Sequence, residues 1–248
     1  MVLTWGCACR YGGLHGAAAV CLAYIVCMCG RYTLTRPEAV IDALFGDSVR
    51  DDSGLEPRYN IAPTQEVPVV RQNHGLELFS CRWGLVPAWA KPEKPLPTLI
   101  NARCETVHEK PSFRDAFRAR RCVVLADGFY EWERKGDQKL PWYFRRQGGL
   151  GFGMAAIWES WEKGDSLLES VSVLTTTANA LVGRIHDRMP VMLTGEALEV
   201  WLGLWPRSLA DLAAVMAPFP EVQMCAQRVG AAVNRATAEG EGLVVGLG

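Results

Sequence analysis

Short apolar runs recur along this chain from Val67 to Val229, each ended within a few residues by Gly, Pro, Asn or Asp. Runs of that length are too short for ordinary helices and read as strands. Val67 to Arg71 and Leu76 to Trp83 flank Asn73-His74-Gly75, which reads as a hairpin turn. Cys122 to Ala126 and Phe129 to Glu133 read as two strands around Asp127-Gly128, and Trp142–Arg145, Gly151–Trp158, Ser170–Thr176 and Val222–Val229 continue the pattern. Helices are few. One opens at Thr35-Arg36-Pro37-Glu38, with Pro in its first turn and Gly46 just past its end. Ser112–Arg121, Gly195–Leu202 and Ser208–Ala217 read as three more, and Ala178–Val182 as a helical turn or two. Asp47–Pro57, Arg58–Thr64 and the Pro-rich stretch Pro87–Pro97 read as loops. Strands that do not alternate with helices argue for an α+β fold and against a doubly wound parallel sheet.

Chemistry is concentrated first at Met28-Cys29-Gly30-Arg31-Tyr32. A cysteine at a chain terminus carries a free amine beside its thiol, and the amine has a pKa of about 8. Such a residue can condense with an aldehyde to a Schiff base, which the thiol closes to a thiazolidine. An internal cysteine cannot, because its nitrogen is an amide. Residues 1–27 are therefore expected to be an extension absent from the working protein, either a start placed too far upstream or a segment that is removed. A signal peptide fits the apolar stretch from Leu14 to Cys27 by length, but Tyr24-Ile25-Val26 is a poor cleavage site and Arg10 is its one basic flank. The run is too short for a membrane span. Cys7-x-Cys9 and Cys27-x-Cys29 lack the usual zinc spacing.

The remaining 28–230 has length for one domain with a full core, and the small, polar segment 231–248 is expected to be only loosely pinned. A net charge of −1 supplies no global basic field, so any nucleic-acid site must be a local patch. Of the 9 cysteines, Cys81, Cys104, Cys122 and Cys225 lie in or beside apolar strands and read as buried reduced thiols, which suits the cytosol. No metal or organic cofactor is indicated.

Polar groups set among apolar ones mark three further stretches: Asn101-Ala102-Arg103-Cys104-Glu105-Thr106, Asp127-Gly128-Phe129-Tyr130-Glu131-Trp132 and Arg184-Ile185-His186-Asp187-Arg188-Met189-Pro190. Singly each has an ordinary explanation. Glu131 alternates with aromatics on a strand and could face solvent, and His186 could be a structural histidine.

Together, Met-Cys-Gly-Arg-Tyr, Tyr-Asn-Ile-Ala-Pro-Thr, Arg-Trp-Gly-Leu-Val-Pro, Asn-Ala-Arg-x-Glu-Thr, Cys-Val-Val-Leu-Ala-Asp-Gly-Phe-Tyr-Glu-Trp and Ile-His-Asp-Arg-Met-Pro occur in that order. The set resembles the SRAP family (SOS response-associated peptidase, or abasic-site processing proteins) from Met28 to the final strand. The resemblance implies one domain with a mixed, largely antiparallel, barrel-like sheet and flanking helices. It also implies binding of single-stranded DNA at abasic sites. The N-terminal cysteine would form a thiazolidine crosslink there, reversibly, shielding the lesion in the DNA damage response.

On that resemblance Cys29 supplies amine and thiol, Asn101 holds the sugar, Glu131 shuttles protons at the amine and His186 is a second general acid/base. Arg31, Arg103 and Arg188, each two residues past one of these, are expected at phosphates, with Arg114 on the basic helix a weaker candidate. Trp83 and Trp89 are candidates to stack on bases, and Thr175 and Thr176 to donate to a phosphate. The expected protein is a cytoplasmic monomer, nucleoid-associated on DNA damage. The competing reading is a cysteine peptidase or autopeptidase using Cys29 and His186, for which Asp187 is the only obvious third member.

Overall fold

The computed structural model describes residues 29–51, 54–203 and 208–247. The readings of residues 1–27 lie outside the described residues. In chain order the elements are β1 (Tyr32–Leu34), α1 (Pro37–Phe45), β2 (Arg58–Ile61), β3 (Glu66–Gln72), β4 (Leu76–Trp83), β5 (Asn101–Arg103), α2 (Arg114–Ala119), β6 (Arg121–Ala126), β7 (Gly128–Lys135), β8 (Gln138–Arg146), β9 (Phe152–Lys163), β10 (Ser166–Thr177), β11 (Arg188–Pro190), β12 (Met192–Leu193), α3 (Glu196–Leu202), α4 (Leu209–Val215) and β13 (Met224–Arg228).

Strands β10, β4, β3, β6 and β9 pair in that order, and β9 pairs back onto β10, so the ring closes. Closure removes the free edges that an open sheet would expose. The pairings are antiparallel except that β10 runs parallel to β4 and to β5. This is the mixed, barrel-like α+β sheet that the family resemblance implies. Cys122 to Ala126 on β6 are all buried because one face of the strand points into the ring and α1 and α3 cover the other. A strand buried on both sides needs an unbroken apolar run, which is what that stretch has.

The second sheet has the order β13-β8-β7-β1-β2. Tight Gly-Asp turns at Gly136 and Gly164, both with positive φ, join β7 to β8 and β9 to β10. Phe129 and Phe144 pair across β7 and β8 and stack at 5.2 Å on the main-core face. Their neighbours Tyr130 and Tyr143 point to the opposite face, where Val229, Val233 and Leu243 cover them. Gly128 is required here, since a Cβ on it would lie 2.2 Å from the Tyr143 hydroxyl.

That cover corrects one expectation. The segment after Gly230 is not loosely pinned. Val233 is fully buried, Leu247 N–H donates to Arg228 O, and Gln227 donates to Val244 O. Composition suggested a frayed tail, but a sheet with aromatics on both faces needs two covers, and this segment supplies the second.

Other differences are local. The helix expected over Ser112–Arg121 shortens to α2, because Arg121 begins β6 and its guanidinium donates to Trp201 O. Arg58–Ile61 is strand, not loop, paired with β1. The three-residue strands β1, β5 and β11 were missed because so few residues show no periodicity. Each of these three carries or adjoins a site residue.

Candidate functional site

Antiparallel register delivers Cys29 to Glu131. Tyr32 pairs with Phe129, and Tyr130 N–H donates to Arg31 O. Each step back along β1 is a step forward along β7, so Cys29 arrives beside Glu131. Its nitrogen donates to Glu131 Oε1 at 2.6 Å. Glu131 shares a strand face with Phe129, and that face is covered by the core, so its side chain is only 1% exposed. The alternative of a solvent-facing carboxylate is thereby removed. Burial pushes the Glu131 carboxyl above the usual carboxylate range, partly offset by hydrogen bonds from Cys29 and by the charge of nearby His186.

Cys29 itself is buried and has φ +45°, a left-handed conformation uncommon outside glycine. Its thiol lies 3.8 Å from the carbonyl oxygen of Arg188. His186 sits in the connection leading into β11. Its Nδ1 accepts a hydrogen bond at 3.0 Å from the Arg188 backbone N–H. An Nδ1 that accepts leaves the proton of neutral imidazole on Nε2. Asp187 Oδ1 is 3.2 Å from the same Nδ1, but its side chain is 85% exposed, and it could pair only with a His186 that had given up the Arg188 bond.

Asn101 and Arg103 approach from the other side. Thr175 of β10 pairs with Arg103 of β5 and with Pro190 of β11, so those two strands flank the C-terminal end of β10. Trp83 Nε1 donates to Ile100 O and holds the entry to β5. Asn101 is half-buried with its side-chain oxygen covered, while Arg103 is exposed and makes no ion pair among the described residues.

The remaining cations differ in availability. Arg31 donates to Asn60 Oδ1 at 2.7 Å and to Val233 O at 2.9 Å, and lies over the Trp132 ring. Asn60 also donates to Arg235 O and Ala238 O, so one buried amide ties Arg31 to the C-terminal segment. Arg114 is half exposed at the start of α2, 3.6 Å from its neighbour Asp115.

Four expected DNA contacts need correction. Trp83 is buried in the main core against Tyr32 and has no face for a base. Thr175 and Thr176 are buried within β10 and cannot reach a phosphate. Arg188 is 9% exposed and committed: its guanidinium binds both oxygens of Glu105, at 2.6 and 2.8 Å, and Thr175 O at 2.6 Å. Sequence shows that an arginine follows His186 by two, but not that a carboxylate already occupies it. Trp89, by contrast, is 62% exposed. Asn60 and Glu105 were passed over although both lie inside quoted motifs, because their partners are distant in sequence.

Among the described residues no group of three or more His, Cys, Asp or Glu side chains is placed to hold a metal ion. No described helix is long and apolar enough to cross a membrane.

The family model for SOS response associated peptidase (SRAP) matches residues 28–236. The chain belongs to the SRAP family. Among its relatives is the abasic site processing protein YoqW of Bacillus subtilis, 36% identical over 211 residues, covering 84% of this chain and 94% of that one. The abasic site processing protein YedK of Escherichia coli is 34% identical over 182 residues, covering 71% of this chain and 79% of its own. A crystal structure of a protein from Bacteroides thetaiotaomicron superposes with a TM-score of 0.72 at 28% identity, covering 82% of this chain and 93% of that one. The SRAP match begins one residue before Cys29 and takes in every site residue named above.

Proposed function

We propose that this SRAP protein captures abasic sites in single-stranded DNA through a thiazolidine formed at Cys29, acting as a cytosolic monomer once Cys29 is the chain terminus. The observation that carries the reading is the 2.6 Å contact between the nitrogen of residue 29 and a buried carboxylate whose affinity for protons is raised. A carboxyl in that position can take a proton from the terminal ammonium and return it in a later step.

The chemistry balances without a cofactor. The neutral amine adds to C1′ of the ring-opened sugar, giving a carbinolamine. Loss of its hydroxyl as water leaves a protonated Schiff base, with Glu131 supplying the proton. The Cys29 thiol then adds to the same carbon, its proton departs to solvent or to Glu131, and the C–S bond closes the ring. The reverse sequence releases the DNA. His186, with its proton on Nε2, is suited to donate to the sugar's O4′ as the ring opens. Arg31 and Arg103 supply cations for the phosphates, and exposed Trp89 a face for an unpaired base. Support for a reducing compartment comes from the described cysteines, all of which are free.

The peptidase reading finds less support, because the Nδ1 of His186 accepts from a backbone N–H instead of donating to a buried carboxylate.

The test uses protein translated from Met28. Intact mass should correspond to a chain beginning at Cys29. Mixed with a single-stranded oligonucleotide bearing one abasic site, it should give an adduct that survives heating, and Cys29→Ala should bind the DNA but give none. Absence of the adduct from the correctly trimmed parent rejects the proposal. Turnover of a peptide library without any adduct would favour the peptidase.

A further inference from the structure

Glu105 has no part in the chemistry above, yet it grips the residue on which two reacting groups rest. Arg188 offers its backbone on one side and its side chain on the other. Its carbonyl faces the Cys29 thiol at 3.8 Å, and its N–H donates to His186 Nδ1 at 3.0 Å. The strand that carries it, β11, is only three residues long and lies at the edge of the ring. So short a strand has little pairing of its own to hold it. The Arg188 side chain supplies the missing anchor. It crosses β10 to take Thr175 O at 2.6 Å, and Glu105 closes the fork on the far side with two bonds of 2.6 and 2.8 Å. Cys104 N–H also donates to Thr175 O, at 2.9 Å, so the residue before Glu105 is stitched to the same carbonyl.

We infer that Glu105 is a positioning residue for the reaction at Cys29: it fixes Arg188, so that residue 188 presents its carbonyl to the thiol and its N–H to His186. It also keeps the guanidinium from engaging a DNA phosphate. Bidentate carboxylate recognition is geometrically specific, which suits a post whose backbone must not shift. Glu105 is about half exposed. A freed Arg188 would therefore emerge beside the DNA path and act as an added phosphate ligand, while the groups resting on its backbone lose their register.

This inference rests on the crosslinking reading for one of its two arms and is independent of it for the other. The first arm measures equilibrium binding of the full chain to an undamaged single-stranded oligonucleotide over a range of salt. Glu105→Gln keeps the shape and removes the charge. Its binding should tighten at low salt, and the slope of log K against log salt should steepen by about 0.7, the value for one extra phosphate contact on a single strand. The second arm measures the adduct rate with protein translated from Met28. Glu105→Gln should slow it about 10- to 100-fold, the usual cost of misplacing a reacting group. Glu105→Asp, which keeps the charge on a shorter stem, should recover much of the rate and the parental slope.

A residue that served folding alone would lower both affinity and rate without steepening the slope. An unchanged slope, or an adduct rate within about twofold of the parent, overturns the inference. Should the parent form no adduct while the variant's slope steepens, the crosslinking reading falls and the restraint of Arg188 by Glu105 stands.

Discussion

Replacing Glu131 by Gln should stabilise the full chain yet destabilise the chain whose terminus is Cys29. In the full chain the nitrogen at 29 is a neutral amide, donating at 2.6 Å to a carboxylate that is 1% exposed. Burial raises the folded-state pKa above the unfolded one, and the Cys29 hydrogen bonds and His186 offset this only in part. Folding therefore favours the protonated acid. That contribution is fully present below the unfolded-state pKa, about 4.3, and is lost as pH rises through the folded-state value.

Gln has no proton to lose. The stability gap between variant and parent should open as pH rises through that window and then level off. Desolvating the carboxylate costs several kcal/mol, and its charge-assisted hydrogen bond returns about 1.5–3 kcal/mol, so Gln should lead by about 1–3 kcal/mol at neutral pH. With Cys29 at the terminus, the partner is an ammonium below about pH 8. Gln then leaves a buried cation without its counter-ion, a loss of about 3–5 kcal/mol. Urea unfolding of both backgrounds, from about pH 4 to about pH 8, reads the sign directly. The same sign in both, or a gap in the full chain that does not widen with pH, refutes the reasoning. The adduct rate of the trimmed variant should fall by about 10²–10⁴, the usual contribution of a general acid/base.

Trp83→Ala should cost about 3–5 kcal/mol of stability, as for other core tryptophans, whereas Trp89→Ala should leave the unfolding midpoint unchanged and weaken single-stranded DNA binding by about 1–3 kcal/mol. Denaturant curves and fluorescence anisotropy separate the two. Arg103→Ala should weaken binding across sequences and reduce the salt slope by about 0.7, one lost phosphate contact; an unchanged slope places Arg103 off the DNA path. Asp127 accepts from Thr33 Oγ1, from the N–H and hydroxyl of Thr35 and from Arg36 N–H, joining β1 to α1. Asp127→Ala should therefore lower stability by about 3 kcal/mol or more, since several buried donors lose a charged partner. A smaller loss in a urea titration would mean that water replaces it.

By itself the sequence determined which residues could do chemistry and most of the regular structure. The β3–β4 hairpin, the strands around Asp127-Gly128 and the helices before Gly46 and Gly203 follow from local pattern and turn residues. The ordered motifs marked Cys29, Asn101, Glu131 and His186. Tertiary structure decided what each polar group is free to do. Glu131 is buried because both faces of its sheet are covered, and one of those covers is a tail whose composition resembles a frayed end. Trp83 and Trp89 lie in one motif region, yet one is core and the other surface. Arg188 looks like a phosphate ligand until Glu105, 83 residues away, is found holding it. Local spacing encodes secondary structure because neighbours along the chain share a helix or strand face. Whether a charge is spent inside the protein or left for a partner depends on contacts that only the closed barrel brings together.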